Sequence, residues 1–557
     1  MTAKRSTHHD LCSWKAGQIV FAIVVGLLYA YLVVGPRVLN PFDLSWLSGD
    51  PAMNQVGWEY FRRSRETWSI THIGAIGYPF GASVAYFDLV PSVAMFLKLF
   101  DRWLPESFQY LGPLFMANMI LQAYFAVRLF RNVCGDNALA VLVGAAFLVI
   151  APPLTFRAQA HFALTSQWLI VAALSYYLDD SSAKGPARYL LPLIALCAIA
   201  AGINPYLTLL TLFIAGAALL RLLLRGEISR TAAAGAAGVI VTAIAGSFAL
   251  FGFFSLGGGY AGGGYGIYSM NPVAPLDPMW YPALLLPEIP IRPGQYEGYN
   301  YLGLGVIGML VAGLALRPNA LRNLSSPDHL PLALLCLVCT VLAVSATITF
   351  GPWLVWRIGP GKFIGNLLAY FRSSGRLFWP VHYLLIVGGF VLVYQIIPAR
   401  FRGPVFGILL AIQFADTHTL RQSIKKQYET AQSYKPLTYP VWQTLGQRHR
   451  HLVVVLPWQC KPENSDEATA RYWVFPMLAV RQGMTVNSYY SGRTDPEQLK
   501  YFCSVTDRIE TEGMRADTAY AFVGNTFDEV SKRGAASRHV CQRIDGFGLC
   551  ALPLGDQ

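Results

Sequence analysis

Residues 17–39 read GQIVFAIVVGLLYAYLVVGPRVL, an apolar run of the length that a membrane-spanning helix needs. About 20 mostly apolar residues cross the hydrocarbon core, and a helix satisfies its backbone polar groups within the segment. Similar runs recur along the chain. We count about eleven candidate spans by this standard: 17–39, 109–131, 138–153, 163–178, 189–203, 206–224, 232–255, 301–316, 330–349, 377–396 and 403–416. The sequence therefore predicts an α-helical polytopic membrane protein.

Composition and charge agree with this class. The 557 residues are 54% hydrophobic and 13% charged, whereas soluble domains are roughly 25% charged. The net charge of +12 follows the predicted spans rather than one patch, so it does not indicate nucleic-acid binding. With the amino terminus in the cytoplasm, short cytoplasmic loops hold Arg128, Arg131, Lys184, Arg188, Arg221, Arg225, Arg230, Arg317, Arg322, Arg400 and Arg402. This is the positive-inside pattern, and an odd number of spans then exports the carboxyl-terminal segment.

The chain divides into two predicted parts. Residues 1–416 form the membrane module, which includes a long first outer loop, 40–108. Residues 417–557 lose the long apolar runs and contain strand-like stretches, among them HLVVVLPW (451–458) and AYAFVGNTF (519–527), with a helix predicted over 495–510. We expect this second part to be a soluble α/β domain outside the cytoplasm.

Four of the nine cysteines fall in that domain: Cys460, Cys503, Cys541 and Cys550. An even number in an oxidising compartment indicates two disulfides, for which three connectivities exist. We expect Cys460 to pair with Cys503 and Cys541 with Cys550. A zinc site is not supported, since no CxxC pair or suitably spaced His accompanies these cysteines.

The first outer loop contains acids beside candidate helix starts. In SGDPAMNQVGWEYFR (48–62), Asp50 precedes Pro51, a pattern typical of a helix N-cap followed by Pro at the first helical position. A cap carboxylate is held rigidly, which also suits a catalytic base. Both roles stay open, and they can coexist.

Two further acids lie in the same loop. Asp88, in AYFDLVP (85–91), again precedes a helix that starts with Pro, and Asp43 lies in NPFDLSW (40–46). A pair of acids can share one site, where one abstracts a proton and the other orients an acceptor or a divalent cation. The helix-like stretch 91–105 after Asp88 has the pattern of an interfacial helix that contacts membrane lipid.

Cationic residues recur on the predicted outer side at four-residue spacing. Arg157 and His161 form one such pair, and Arg372 and Arg376 form the other. On a helix, residues at this spacing share a face. Because Arg binds oxyanions through two parallel charge-assisted bonds, a phosphate or carboxylate site is as good an interpretation as simple interfacial anchoring. Two such segments on the outer side favour an anionic ligand more than either would alone.

Glu297 lies in GQYEGYNYLGLG (294–305), where a glycine-rich loop re-enters the predicted membrane. An aromatic belt explains the tyrosines at this position. It does not explain Glu297, for which contact with a polar substrate is the alternative. Elsewhere the sequence has no Walker A run, GxSxG elbow, HExxH motif or Rossmann fingerprint.

Four stretches resemble the GT-C superfamily of membrane glycosyltransferases: GDPAMNQVGWEYFR (49–62), SVAYFDLVP (83–91), FRAQAHFAL (156–164) and FRSSGRLFWP (371–380). Together with the span count and the exported carboxyl-terminal domain, they resemble a bacterial branch distinct from the oligosaccharyltransferases, protein mannosyltransferases and aminoarabinose transferases. The Asp-Glu pair of some branches is absent, since Pro51 follows Asp50.

The resemblance implies sugar transfer, with inversion, from a polyprenyl-phosphate carrier to a periplasmic glycan, lipid or protein at the bacterial inner membrane. Asp50 would be the base and Asp88 a second catalytic acid. The candidate substrate or phosphate contacts are Arg157, His161, Glu297, Arg372 and Arg376. A divalent cation, magnesium or manganese, is the candidate cofactor.

Two other functions fit the same residues. One is a transporter or flippase of lipid-linked glycans, although carriers usually bury ionisable groups near the bilayer middle. In this sequence the span centres are nearly free of charge. The other is a non-catalytic subunit for envelope assembly.

Overall fold

The structure, a computed structural model, describes residues 8–65, 70–87, 89–135, 137–179, 181–255, 265–322, 326–359, 365, 368, 370–431, 437–460, 466–492, 495–532 and 539–553. Its α-helices are, in chain order, α1 His8–Leu39, α2 Gly49–Arg63, α3 Pro91–Lys98, α4 Leu111–Cys134, α5 Ala138–Val149, α6 Pro152–Arg157, α7 Trp168–Tyr177, α8 Ser181–Lys184, α9 Pro186–Ala201, α10 Pro205–Leu224, α11 Arg230–Leu250, α12 Leu304–Leu316, α13 Leu330–Val344, α14 Trp379–Ile396, α15 Ala399–Asp416, α16 His418–Thr430, α17 Asp466–Thr469, α18 Phe475–Arg481, α19 Pro496–Cys503, α20 Val505–Glu512 and α21 Thr526–Lys532. The strands are β1 His72–Ile73, β2 Ala82–Ser83, β3 Thr347–Phe350, β4 Trp353–Arg357, β5 His451–Val455, β6 Thr485–Val486, β7 Thr518–Phe522, β8 Val540–Ile544 and β9 Phe547–Ala551.

Each predicted span contains a helix, which confirms the predicted helical character of these apolar runs. Among the described residues, six helical segments are long and apolar enough to cross a membrane: Ala16–Leu39, Leu111–Cys134, Ala138–Arg157, Pro205–Leu224, Arg230–Leu250 and Ser374–Ile396. Three shorter apolar helices are Pro186–Ala201, Leu304–Leu316 and Leu330–Val344. The chain is therefore a multi-pass membrane protein, and the larger number of spans stays a prediction.

The chain forms two compact units. The first consists of Met1–Pro41, Tyr110–Ser247 and Gly263–Thr430, and the second of Phe42–Gln109, Phe248–Gly262 and Ala431–Gln557. This division differs from the one expected from the sequence, in which the first outer loop belonged to the membrane module. Here that loop is compact with the carboxyl-terminal segment.

Within the first unit, α1 and α4 pack closely because a glycine leaves room between them. A Cβ atom on Gly26 would lie 2.6 Å from the backbone nitrogen of Ile120. Small residues of this kind allow helix backbones to approach inside a membrane. Any larger side chain at Gly26 would separate α1 from α4.

A five-stranded sheet in the order β6-β5-β7-β9-β8 forms the centre of the carboxyl-terminal segment. Strand β5 is parallel to β6 and β7, whereas β9 is antiparallel to β7 and β8. The strands predicted over 451–458 and 519–527 are confirmed, and the helix predicted over 495–510 is two helices, α19 and α20. This confirms the α/β class of the segment.

Both predicted disulfides are present. Cys460 pairs with Cys503, and Cys541 pairs with Cys550. The second bridge joins directly opposed residues of β8 and β9. The first ties the turn after β5 to the end of α19, and so fixes a loop at the carboxyl end of the parallel strands.

Helix α3 occupies part of the predicted interfacial stretch, which ends in a short turn at Asp101–Trp103. Three large apolar side chains here are more than half exposed, namely Phe96, Leu99 and Trp103. Their exposure agrees with lipid contact, which stays a prediction.

Candidate functional site

Asp50 lies in the second unit, in the first turn of α2. The helix begins at Gly49 with Ser48 as its N-cap residue, so the predicted capping position is occupied by Ser48 rather than Asp50. The Asp50 carboxylate instead accepts a hydrogen bond of 2.6 Å from the Tyr472 hydroxyl. The acid is partly exposed, and it is therefore both held and accessible.

Tyr472 belongs to a π-helical turn, Ala470–Val474, between α17 and α18. Single π-helical turns inside α-helices are frequent at functional sites, because the wider turn redirects side chains. Sequence reasoning missed Tyr472, and no motif connects it with Asp50 along the chain.

Two more aromatic side chains surround the Tyr472 ring. Its centroid lies 4.7 Å from that of Trp458 and 5.7 Å from that of Tyr490, with interplanar angles of 50° and 65°. We call Trp458, Tyr472 and Tyr490 the aromatic cluster. Neither angle corresponds to face-to-face stacking, so no ring covers the whole face of its neighbour.

Polar contacts hold α2 within its unit. Arg62 is 8% exposed and donates through Nε to Asp101 at 2.6 Å, while its Nη2 donates to the Leu104 carbonyl at 3.3 Å. The Tyr60 hydroxyl donates to the Met484 carbonyl at 3.0 Å. Buried polar groups satisfied in this way give the helix a defined position, which places Asp50 reproducibly.

Glu59 is a buried acid on the same helix that the sequence did not single out. It accepts a hydrogen bond of 2.9 Å from Gln55, and an ion pair of 3.2 Å links it to Arg63. Burial raises the pKa of Glu59, and the charges of Arg63 and Arg62 only partly offset that effect. Nine residues of helix separate Glu59 from Asp50, roughly 13 Å along the axis, so Glu59 is a structural acid rather than a partner of Asp50.

A second cluster lies in the first unit, where Glu297 contacts two arginines. Its Oε2 accepts hydrogen bonds from Arg157 Nη1 at 2.6 Å and from Arg376 Nη2 at 2.9 Å. Arg157 Nη2 also donates to the Glu297 carbonyl at 2.8 Å. The exposed fractions of Arg157, Glu297 and Arg376 are 2%, 7% and 9%, and we call these three residues the buried triad.

Two positive charges facing one carboxylate determine the ionisation of the triad. Burial by itself would raise the pKa of Glu297, but the charges of Arg376 and Arg157 outweigh it and hold that pKa well below its usual range. The carboxylate is therefore ionised at neutral pH, and the triad carries one net positive charge.

Two N–H donors beside the triad remain available. Within the described part of the chain, Arg157 Nε and Trp379 Nε1 are buried and have no hydrogen-bond partner. The Trp379 ring centroid lies 5.7 Å from Arg157 Cζ. A buried donor without an acceptor is costly, so an oxyanion or an ordered water suits this position.

The cationic pairs predicted from spacing are only partly brought together. Helix α6 ends at Arg157, and His161 follows a turn, so the two do not share one continuous helix. His161 Nε2 nevertheless lies 3.8 Å from Glu297 Oε1 and extends the cluster toward the surface. Arg372 precedes the single turn that holds Arg376, and its guanidinium lies over the Tyr268 ring, 5.8 Å from the centroid.

The other loop acids are placed as follows. Asp43 accepts hydrogen bonds from the backbone nitrogen of Ser45 at 2.8 Å and from its hydroxyl at 2.5 Å, which is a local turn. Asp88 lies outside the described residues.

The described part of the chain contains no group of three or more His, Cys, Asp or Glu side chains arranged to hold a metal. Magnesium is usually held by one or two carboxylates together with substrate phosphates, so the divalent cation stays a prediction.

The described residues thus form a multi-pass membrane protein with an α/β carboxyl-terminal segment, in which a partly exposed acid, Asp50, follows the first candidate span in the sequence. The chain belongs to the DUF6311 family: the model described as "Domain of unknown function (DUF6311)" matches residues 23–418, and the "DUF6311 C-terminal domain" matches residues 441–552. No curated protein matches the chain.

Among solved structures, the chain is similar to the oligosaccharyltransferase AglB of Archaeoglobus fulgidus in complex with an inhibitory peptide and a dolichol-phosphate. The identity is 12% and the TM-score 0.44, over 91% of this chain and 69% of that one. The apo form of the oligosaccharyltransferase from the same organism gives 11% identity and a TM-score of 0.43, with the same coverage.

Proposed function

We propose that this protein is an inverting glycosyltransferase of the bacterial inner membrane. It moves a sugar from a polyprenyl-phosphate carrier to an acceptor on the periplasmic side, where its carboxyl-terminal segment also lies. The observation that carries the proposal is the Asp50 carboxylate, which is partly exposed, fixed at the start of a buried helix and oriented by the Tyr472 hydroxyl. The resemblance of the surrounding sequence to GT-C enzymes supports the same reaction.

The chemistry needs one base. Asp50 accepts the proton of an acceptor hydroxyl while that oxygen forms a new bond to the anomeric carbon. The bond between this carbon and the carrier phosphate oxygen breaks, and the phosphate leaves with the electron pair. A phosphate is already a good leaving group and needs no general acid. Attack from the face opposite the phosphate inverts the anomeric centre.

The buried triad and His161 are assigned to the anionic part of the donor. Their net positive charge suits a phosphate oxygen, and so do the buried donors of Arg157 and Trp379, which have no acceptor among the described residues. In this role Glu297 holds the two guanidinium groups rather than touching the sugar. Arg372 is proposed as an outer contact. Preorganised cations of this kind stabilise the charge that develops on a departing phosphate.

The test is sugar transfer by purified protein from radiolabelled polyprenyl-phosphate donors to membrane-derived acceptors. Asp50→Asn keeps the size of the side chain and removes the base, so transfer should fall by roughly 10²–10⁴. Asp43→Asn is the matched control, because an Asn can form the same turn with Ser45, and it should retain the wild-type rate.

The possible outcomes separate the alternatives. Full activity in Asp50→Asn would remove Asp50 as the base and leave Asp88 as the next candidate. If wild-type protein transfers no sugar from any donor, the glycosyltransferase proposal fails, and flipping of lipid-linked glycans in proteoliposomes becomes the activity to measure.

A further inference from the structure

The aromatic cluster lies at the carboxyl edge of the parallel strands. Trp458 follows β5, and Tyr490 follows β6. In open α/β sheets, ligands bind in the crevice outside the carboxyl ends of the strands. The cluster therefore occupies the part of this sheet where a ligand is expected.

Hydrogen bonds join the two loops that carry these aromatic rings. The backbone nitrogen of Trp458 donates to the Ser488 hydroxyl at 2.9 Å, and Gln459 Nε2 donates to the Asn487 carbonyl at 2.8 Å. The Cys460–Cys503 disulfide fixes the first loop again, one turn beyond Trp458. The rings are thus held by their backbones, and their positions exist before any ligand arrives.

The three rings of the aromatic cluster differ in how far they are exposed to solvent. Tyr472 is 8% exposed, Trp458 is partly buried, and Tyr490 is 37% exposed. The buried Tyr472 hydroxyl contacts Asp50, whereas the two outer rings border solvent. A molecule resting on the outer rings would lie beside the carboxylate.

Partly exposed aromatic rings close to a carboxylate suit one class of ligand. Aromatic faces attract the C–H face of a sugar ring, and a carboxylate accepts hydrogen bonds from sugar hydroxyl groups. A lipid chain has no hydroxyl groups to offer Asp50, and an anionic headgroup would be repelled by it.

We infer that the aromatic cluster binds a sugar ring and that the acceptor is a saccharide. Only the assignment of this sugar as the acceptor rests on the proposed function. Saccharide binding itself is measurable without transfer. When the ring is seated, one of its hydroxyl groups gives its proton to Asp50 and bonds to the anomeric carbon of the donor, while the carbon–phosphate-oxygen bond breaks and the phosphate keeps the electron pair.

Saccharide binding to the full-length protein in detergent is measured by saturation-transfer NMR. The probes are methyl glycosides of glucose, galactose, mannose and N-acetylglucosamine, and disaccharides of each. Trp458→Ala and Tyr490→Ala should weaken binding of the preferred probe at least tenfold, and Trp458→Phe should restore part of it. Trp353→Ala is the matched control: this tryptophan is 70% exposed on β4 of the first unit, and its loss should change nothing.

A second measurement separates this inference from the proposed function. Hydrolysis of the donor by water reports catalysis without an acceptor and is measured on the wild-type protein beside transfer. In Tyr490→Ala the KM for the saccharide acceptor should rise at least tenfold, whereas Trp353→Ala should leave donor hydrolysis and both KM values unchanged. Donor turnover in a protein that binds no saccharide, or that uses only peptide or lipid acceptors, would overturn the inference and leave the glycosyltransferase intact. Unchanged binding in both Trp458→Ala and Tyr490→Ala would also overturn it. If Trp458→Ala does not fold, Tyr490→Ala decides alone, because its ring is the more exposed.

Discussion

The Tyr472 hydroxyl donates a hydrogen bond of 2.6 Å to Asp50 Oδ1 across 422 positions of the sequence. A π-helical turn presents the donor, and the first turn of α2 presents the acceptor. The bond connects the first outer loop with the carboxyl-terminal segment inside one compact unit. Its removal is consequently the most direct probe of how the acid is oriented.

Tyr472→Phe removes this hydrogen bond and keeps the ring. If the hydroxyl orients the base, we expect kcat for transfer to fall about tenfold, equivalent to about 1.4 kcal/mol of transition-state stabilisation. Steady-state transfer kinetics measure it. Tyr490→Phe is the control for loss of a nearby hydroxyl, and an equal drop in both variants would contradict a specific role for Tyr472.

Glu297→Gln leaves two buried guanidinium groups without their carboxylate. Breaking a buried ion pair by removing one partner costs about 3–5 kcal/mol, so thermal unfolding in detergent should shift to a clearly lower temperature. Glu429→Gln is the control, because its side chain is 51% exposed and pairs with Lys425 at 3.7 Å. Exposed pairs contribute less than about 1 kcal/mol. Equal shifts in the two variants would contradict the buried triad.

The pH dependence of that difference has a definite sign. Because the folded-state pKa of Glu297 is lowered, its stabilisation is fully present above the unfolded pKa of about 4.3 and is lost as pH falls through the lower folded value. The gap between wild type and Glu297→Gln should therefore be constant from about pH 7 to 5 and shrink below about pH 4. A gap that closes near neutral pH would show that the carboxylate is not held ionised by the arginines.

His161→Ala tests the anion site without removing a buried charge. His161 is 31% exposed and extends the cluster toward the surface. We expect the donor KM to rise about tenfold, on the scale of one lost charge-assisted hydrogen bond, with little change in unfolding temperature. His329→Ala, at an exposed histidine bonded to Ser326, should leave the donor KM unchanged. A lower unfolding temperature without a KM effect would make His161 structural.

The two disulfides should differ in their contribution to stability. Their sequence separations are 43 and 9 residues, and loop-closure entropy gives about 4 kcal/mol for the longer loop and about 2.6 kcal/mol for the shorter one. Cys460→Ser/Cys503→Ser should thus lower the unfolding temperature more than Cys541→Ser/Cys550→Ser. The reverse order would contradict the entropic account.

Reporter fusions test the predicted orientation of the chain in the membrane. Alkaline phosphatase fused after Gln557 should be active, because the positive-inside pattern places the carboxyl terminus outside the cytoplasm. Fusion at Arg225, in a predicted cytoplasmic loop, should be inactive. The opposite pair of results would invert the topology and exclude a periplasmic reaction.

Local patterns predicted much of the fold. Apolar runs became helices, alternating runs became β5 and β7, and Cys541 paired with Cys550, 9 positions away, as expected. These features depend on residues close in sequence, whose periodicity and turn chemistry act over short distances. Arg157 and His161 do not share a continuous helix, since α6 ends at Arg157, but both side chains lie beside Glu297.

Local sequence patterns predicted only some of the residues and contacts of the candidate site. The sequence by itself determined that the chain is a membrane protein with an α/β carboxyl-terminal segment, and that Asp50, Glu297 and the outer arginines need an explanation. Only the tertiary structure decided that Asp50 contacts Tyr472 and that Glu297 contacts Arg157 and Arg376, 140 and 79 positions away. The physical reason is that a buried charge must find its partner wherever packing brings one, and packing between distant elements leaves no fixed spacing in the chain.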